Sequence, residues 1–402
     1  MSRLPPWPAP PDYDGAHLRH VLPSTCAALG LEGFTNRLGV PQSNIAVVVL
    51  ADGLGERNLA AHTGHARHLG AAWRSLQTAR TLDCGVPATT ATSLSSFGTG
   101  ATPGEHGMLG YDLYAEHLDR VVNMLGGWDD DVDPATWQPV PSLLRQAQQA
   151  GAEVLTVSRS QFRDSQLTRA ALQGGEFAGA DRIEHRFRAA AEWITAQRQA
   201  CGGVRRGPPT PLLVYLYVDE LDKAGHEYGV ASAQWRHRLE SLDEAARRFC
   251  HSMRERFGDQ ITVLLTADHG MIDLPKTART DISAREDLLT GVVHTAGDPR
   301  LVYLHTAAGA AGEVADRWQE AFGDQAWVLQ REEAIAAGWF GPVTEAAAER
   351  IGDVVVAMYD DAGIFHTART GREIASLVGF HGSLTETERK VPLLELTGRA
   401  LG

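Results

Sequence analysis

The sequence has no paired-cysteine spacing, no apolar run of membrane-spanning length and no surplus of positive charge. Its four cysteines, Cys26, Cys84, Cys201 and Cys250, are scattered over 402 residues and form no CxxC pair. That argues against a disulfide-stapled fold or a thiolate metal site and fits reduced, structural thiols. No stretch reaches the roughly 20 apolar residues that cross a bilayer, so no membrane partner is expected. Residues 1–11 are proline-rich and lack the apolar centre of a signal peptide, which makes the cytoplasm the expected location. With 37 Lys+Arg against 50 Asp+Glu, the net charge of −13 counts against a nucleic-acid polymer as partner. It leaves small anionic substrates open, because bound cations reverse the local field. Lysine is scarce beside arginine and alanine, a bias of GC-rich bacterial genomes.

What is present is the composition of a soluble globular protein, 43% hydrophobic and 22% charged. Residues 1–42 read as a proline-rich lead-in with some local structure. Ile45–Ala51 is then an unbroken apolar run, the pattern of a strand buried on both faces, and it ends at Asp52-Gly53. The pattern recurs at Leu212–Val218, which leads into Asp219-Glu-Leu-Asp222-Lys-Ala-Gly-His226, and at Ile261–Ala267, which delivers Asp268-His269-Gly270-Met271. Helix signals at 142–151, a strand at 153–157 and a long helix from Ala231 to about Phe257 fall between them. The apolar positions of that helix (Trp235, Leu239, Leu242, Ala246, Phe249 and Met253) recur in steps of four and three, as core packing requires. Alternating strands and helices predict a mostly parallel sheet with crossover helices. Ligands of such sheets bind beyond the carboxyl ends of the strands, where these aspartates stand. The segment 275–370 is less regular, and the acidic stretch 123–133 reads as a solvated excursion, not a calcium site.

Asp222 and His226 are four apart, so one helical turn brings both to one face, as metal ligands or as a local ion pair. Thr89-Thr90-Ala91-Thr92-Ser93 follows Pro87 where a helix should start. It is either a cap or a hydroxyl cluster at a positive helix end suited to phosphate. His381 lies in a glycine-rich turn, Gly379-Phe-His381-Gly382. The candidate set is therefore Asp52, Thr90, Asp222, His226, Asp268, His269 and His381. Carboxylates and imidazoles without thiolates suit zinc or manganese, and two clusters of three ligands would leave positions open for substrate and water.

In order along the chain, Asp52-Gly53, Pro87-x-x-Thr90, Thr99-Gly100 with Pro103 and His106-Gly107, Asp222-x-x-Gly225-His226, Asp268-His269-Gly270-Met271 and His381-Gly382-Ser383 resemble the alkaline phosphatase superfamily, most of all its nucleotide pyrophosphatase/phosphodiesterase branch. The resemblance implies an alkaline phosphatase-like catalytic domain over 43–402: a three-layer α/β core with cap insertions near 110–140 and 275–350. It implies a hydrolase with two divalent metal ions, zinc or manganese. One ion falls to Asp222, His226 and His381, the other to Asp52, Asp268, His269 and the Thr90 oxygen. Thr90 is then the nucleophile, attacking phosphorus to form a phosphothreonine that water hydrolyses; Thr89 is its rival. The implied substrate is a small, nucleotide-like phosphodiester or pyrophosphate.

The departures lie in substrate recognition. Ala91 replaces the aromatic residue that follows the nucleophile and stacks on the base, and Thr92-Ser93 replaces Pro-Asn. Tyr111 falls in register with the asparagine that contacts the phosphoryl group, leaving a phenol where the family has an amide. Tyr114, Trp128 and Trp137 are alternative stacking faces. A phosphomonoesterase or phosphonate hydrolase on the same scaffold, or a non-catalytic metal- and phosphate-binding protein, are the competing readings.

Overall fold

The structure is a computed structural model that describes residues 7–75, 79–128, 130–200 and 209–398. Residues 1–6 of the lead-in and Cys201 lie outside the described residues. Seven strands form the central sheet in the order Ala79–Asp83, Lys390–Glu395, Ile261–Thr266, Ile45–Ala51, Leu212–Val218, Glu153–Ser158, Glu176–Gly179. All pair in parallel except Lys390–Glu395, which runs antiparallel to both neighbours.

Every residue of Ile45–Ala51 and of Leu212–Val218 is buried. Because successive side chains point to opposite faces, helices must cover both sides of these strands. One helix group packs Ile183–Ala200 and Arg67–Arg74 against Ala233–Phe257. A second brings Val21–Ala28, Leu143–Gln149 and Gln166–Ala171 to Thr90–Thr99. Leu18, Val21, Leu22 and Cys26 of the segment read as a lead-in are fully buried in the main core. Cys84 and Cys250 are buried and unpaired as well.

The less regular segment forms an antiparallel sheet of four strands, in the order Val292–Asp298, Leu301–Thr306, Val354–Met358, Ala326–Gln330. Its third strand starts at Val354. Asp353 just before it is occupied in accepting the Thr306 N–H at 2.7 Å and an Arg331 guanidinium N–H at 2.6 Å. The acidic excursion is preceded by a hairpin, Asp112–Ala115 with Arg120–Asn123. Fully buried Arg300 and Glu388 pair at 2.8 Å and tie the small sheet to the turn that carries His381. No helix among the described residues is long and apolar enough to cross a membrane.

Candidate metal centre

Three neighbouring strands end at one point. Asp52 follows Ile45–Ala51, Asp268 lies just beyond Ile261–Thr266, and Asp222 stands on the helix Glu220–Tyr228 that follows Leu212–Val218. Gly53 makes the convergence possible. Its φ is +73°, and a Cβ there would meet the Cα of Asp222 at 3.1 Å, so no larger residue lets the two turns approach. At Gly379 a Cβ would stand 2.5 Å from the Gly225 carbonyl, so this glycine lets the His226 helix approach the His381 turn.

Thr90 begins the fully buried helix Thr90–Thr99, and its Oγ1 lies 3.2 Å from His269 Nε2. That same nitrogen is 3.3 Å from Asp52 Oδ1 and 3.5 Å from Asp268 Oδ2. Asp222 Oδ1 is 3.3 Å from His226 Nε2 and 3.7 Å from His381 Nε2. Two sets of ligand atoms lie within 4.8 Å of one another: Asp52, Asp268 and His269, and Asp222, His269 and His381. His269 therefore bridges the sets. His226 falls outside the second one although it points at Asp222.

The hydrogen bonds decide what these atoms offer. His226 Nδ1 meets the Gly379 carbonyl at 2.8 Å, His381 Nδ1 the Ala88 carbonyl at 2.9 Å, and His269 Nδ1 the Gly270 carbonyl at 3.2 Å. A carbonyl only accepts, so each Nδ1 carries a proton, and in the neutral form that binds a metal each ring would present its Nε2 lone pair. Those lone pairs face Asp52 Oδ1, Asp222 Oδ1 and Asp268 Oδ2, three buried oxygens with no hydrogen-bond partner. Acceptors facing acceptors repel, and a cation between them removes the conflict. Oxygen and nitrogen donors without sulfur match zinc or manganese, so the residues present fit divalent metal.

Burial, and then the charges of Asp268 and Asp222, push the Asp52 carboxyl well above the usual range. Burial, with His269 and His226 nearby, holds His381 well below an ordinary imidazole. The Asp52 shift is that of a site whose negative charge wants a positive partner, and the His381 shift keeps that imidazole neutral, the form that can coordinate a metal.

Several contributors escaped the sequence reading. The Tyr217 phenol donates to Asp52 Oδ2. Asn58 clamps the Asp268–Met271 turn, with its Nδ2 donating to the Met271 carbonyl and its Oδ1 accepting the Met271 N–H, both at 3.0 Å. Buried Arg186 pairs with Glu220 at the start of the Asp222 helix. His106 is structural: its Nδ1 accepts the Met108 N–H at 3.0 Å, which puts its proton on the Nε2 facing Ser96 Oγ at 2.9 Å. Thr89 bonds the hydroxyl of Thr92 at 3.2 Å.

Two cavities open beside Thr90. A cleft of about 620 Å³ is lined by Thr89, Tyr111, Asn123, Asp298, Arg369 and His381 among others, so Tyr111 does face the site. A second pocket of about 160 Å³ lies between Thr90 and Phe162, Phe177, Tyr215 and Tyr217. The aromatics expected as stacking faces are elsewhere. Trp128 and Trp137 pack together in the core at 6.2 Å, and Tyr114 lies against His294 and His305.

The type I phosphodiesterase / nucleotide pyrophosphatase family model matches residues 46–384. Among solved structures, the chain is similar to murine ectonucleotide pyrophosphatase/phosphodiesterase 5, at 16% identity over 87% of each chain with a TM-score of 0.65. The same murine protein in an inactive threonine-to-alanine form, in complex with AMP, aligns equally well. Phosphonoacetate hydrolase from Sinorhizobium meliloti 1021, in complex with phosphonoformate, is 19% identical over 89% of this chain and 91% of that one, with a TM-score of 0.63. No curated protein matches the sequence. The chain belongs to the type I phosphodiesterase / nucleotide pyrophosphatase family of the alkaline phosphatase superfamily and is a hydrolase of phosphoester bonds.

Proposed function

We propose that the protein is a two-metal phosphodiesterase or pyrophosphatase of small nucleotide-like substrates, with Thr90 as nucleophile. The observation that carries this reading is the opposition of three imidazole lone pairs to three unpartnered carboxylate oxygens, with the Thr90 hydroxyl beside them. Asp222, His226 and His381 would hold one ion, and Asp52, Asp268, His269 and Thr90 the other. When bound, two divalent cations supply the positive charge that polarises phosphoryl oxygens and acidifies a hydroxyl or a water.

The chain's own groups account for the remainder. Thr90 sits at the first turn of a ten-residue helix, whose unbonded N–H groups favour an anion in front of it. Its Oγ1 attacks phosphorus, the leaving oxygen departs on the opposite side, and water then cleaves the phosphothreonine. Thr89 is a poorer nucleophile because its hydroxyl is engaged with Thr92. The aromatic pocket at Thr90 is suited to a flat organic group of the ester, replacing the stacking face absent at Ala91. The murine relative's complex with AMP accords with such a pocket, and its inactive threonine-to-alanine form with a threonine nucleophile.

Charge in the cleft favours a diester over a monoester. Among the described residues, Arg369 is the one basic side chain besides histidine lining the larger cleft, and Asp112 already pairs with it at 2.7 Å. A diester brings one negative charge, which asks for less than the dianion of a monoester does. Phosphonate hydrolysis stands as the second reading, on the likeness to phosphonoacetate hydrolase and on the phenol of Tyr111 in the cleft.

Hydrolysis of bis(p-nitrophenyl) phosphate against p-nitrophenyl phosphate, with zinc- and manganese-loaded protein, tests the proposal. A clear diester preference is expected. A monoester preference replaces it with the phosphatase reading, and no turnover of either, without stoichiometric metal, returns the protein to a binding role.

A further inference from the structure

The aromatic pocket has a second side. Thr156, Thr168, Leu172 and Phe177 line it and also line a polar groove of about 580 Å³. The sheet register shows how the two are joined. Tyr215, Thr156 and Phe177 pair in line across three parallel strands, so their side chains share one face in the order ring, hydroxyl, ring. This row runs from the strand beside Asp52 to the edge strand Glu176–Gly179, and the groove lies at its outer end. Thr156 is only 4% exposed, and its Oγ1 has no hydrogen-bond partner. A buried hydroxyl left unpaired is destabilising, so its place in the wall of both cavities points to a ligand that completes it.

The groove itself is basic in a chain whose net charge is −13. Arg145, Arg163 and Arg169 line it, and none of them forms an ion pair among the described residues. Arg163 lies over the Phe177 ring, with its guanidinium carbon 4.7 Å from the centroid and one N–H donated to the Phe177 carbonyl at 3.0 Å. Arg145 donates to the Gln173 side chain at 2.8 Å. Of the two carboxylates in the groove, Glu176 is engaged by Trp193 Nε1 at 3.0 Å, and exposed Asp164 faces solvent.

We propose that this groove is a second anion subsite, with Arg145, Arg163 and Arg169 receiving an oxyanion such as a carboxylate carried on the far side of the ring that occupies the aromatic pocket, and Thr156 bonding the polar edge between them. The inference rests on the phosphodiesterase reading for the position of the ring. It narrows the substrate class to bipartite esters: a scissile phosphoryl group at Thr90, a flat ring against Phe177 and Tyr215, and a distal acid. Three guanidiniums without an ion-pair partner among the described residues are matched to planar oxyanions by their fork geometry.

The test compares phenyl p-nitrophenyl phosphate with 4-carboxyphenyl p-nitrophenyl phosphate on the zinc-loaded full chain, reading p-nitrophenol release. The wild type should prefer the carboxylated ester by about tenfold in kcat/KM, equivalent to about 1.4 kcal/mol. In the R145Q/R163Q/R169Q variant that ratio should fall to about one, and Thr156→Val should reduce it in part. A wild-type ratio near one, or a ratio that survives the triple substitution, overturns the subsite. Calorimetric binding of phenylphosphonate and 4-carboxyphenylphosphonate requires no turnover. If neither diester is hydrolysed, the phosphodiesterase reading fails. The subsite still stands if the carboxylate tightens binding and the triple variant abolishes that gain, and falls if the carboxylate adds nothing.

Discussion

The Tyr217 phenol donates its hydrogen bond to Asp52 Oδ2 from the neighbouring strand, which leaves Asp52 Oδ1 as the oxygen that faces His269. Tyr217→Phe keeps the ring and its packing but frees the carboxylate to rotate. Groups that orient metal ligands are worth about 10–100-fold in metal affinity, and a loss of that order is expected here, with the fold retained. Competition against a chelating dye measures it; unchanged affinity would mean that packing alone orients Asp52.

Thr90→Ala should lower turnover by about 10³-fold or more while metal stoichiometry stays close to that of the wild type, because the other ligands remain. Thr89→Ala removes only the bond to Thr92 and should cost far less. Activity retained in Thr90→Ala together with loss in Thr89→Ala would move the nucleophile by one residue.

Asp222→Ala and His381→Ala should each lose metal from the same site, and Asp268→Ala from the other. Chelation should stop turnover, and added zinc or manganese should restore it. Elemental analysis of the three variants is the direct check. Full metal content in both Asp222→Ala and His381→Ala would dismantle the ligand assignment.

Asp298 gives a prediction in pH. Its Oδ1 accepts the Arg300 N–H at 2.9 Å, while Oδ2 is shielded and unpartnered. Burial pushes its carboxyl up to about 8 from the ordinary 3.8. Between those values the folded state holds a proton that the unfolded chain has released, so stability falls as pH rises through the window, by at most about 1.4 kcal/mol per unit. Asp298→Asn keeps the acceptor and removes the titration. Its urea midpoint relative to wild type should therefore improve from pH 5 to pH 8, by an amount on the order of a few kcal/mol in free energy. A pH-independent difference would show that Asp298 ionises normally.

The sequence made some of this legible and hid the rest for physical reasons. Asp52, Asp222 and Asp268 could be picked out because each follows an unbroken apolar run, and an aspartate at the carboxyl end of a doubly buried strand is a conspicuous exception to burial. Tyr217 was hidden by the same pattern: inside an apolar strand it reads as core, and its hydroxyl gains meaning only once Asp52 is known to lie one strand away. The aromatic pocket was hidden because Phe162, Phe177 and Tyr215 come from three separate elements. Trp128 and Trp137 were attractive as stacking faces for their size, yet large rings are also what cores bury. The small sheet was hard to read at its edge, since Val292–Asp298 contains histidine, threonine and glycine and shows no apolar run.

The one antiparallel strand has a consequence for how the molecule comes into being. Lys390–Glu395 is wedged between Ala79–Asp83 and Ile261–Thr266, two segments made long before it. A ribosome that has released everything up to residue 370 has produced five of the proposed ligand side chains and the proposed nucleophile, but the sheet still carries an open seam with unpaired backbone on both sides. His381 arrives only with the stretch that closes that seam. The proposed site is thus complete only once the seam is closed, and nascent chains before that point carry exposed strand edges, the state in which newly made proteins most readily stick to one another.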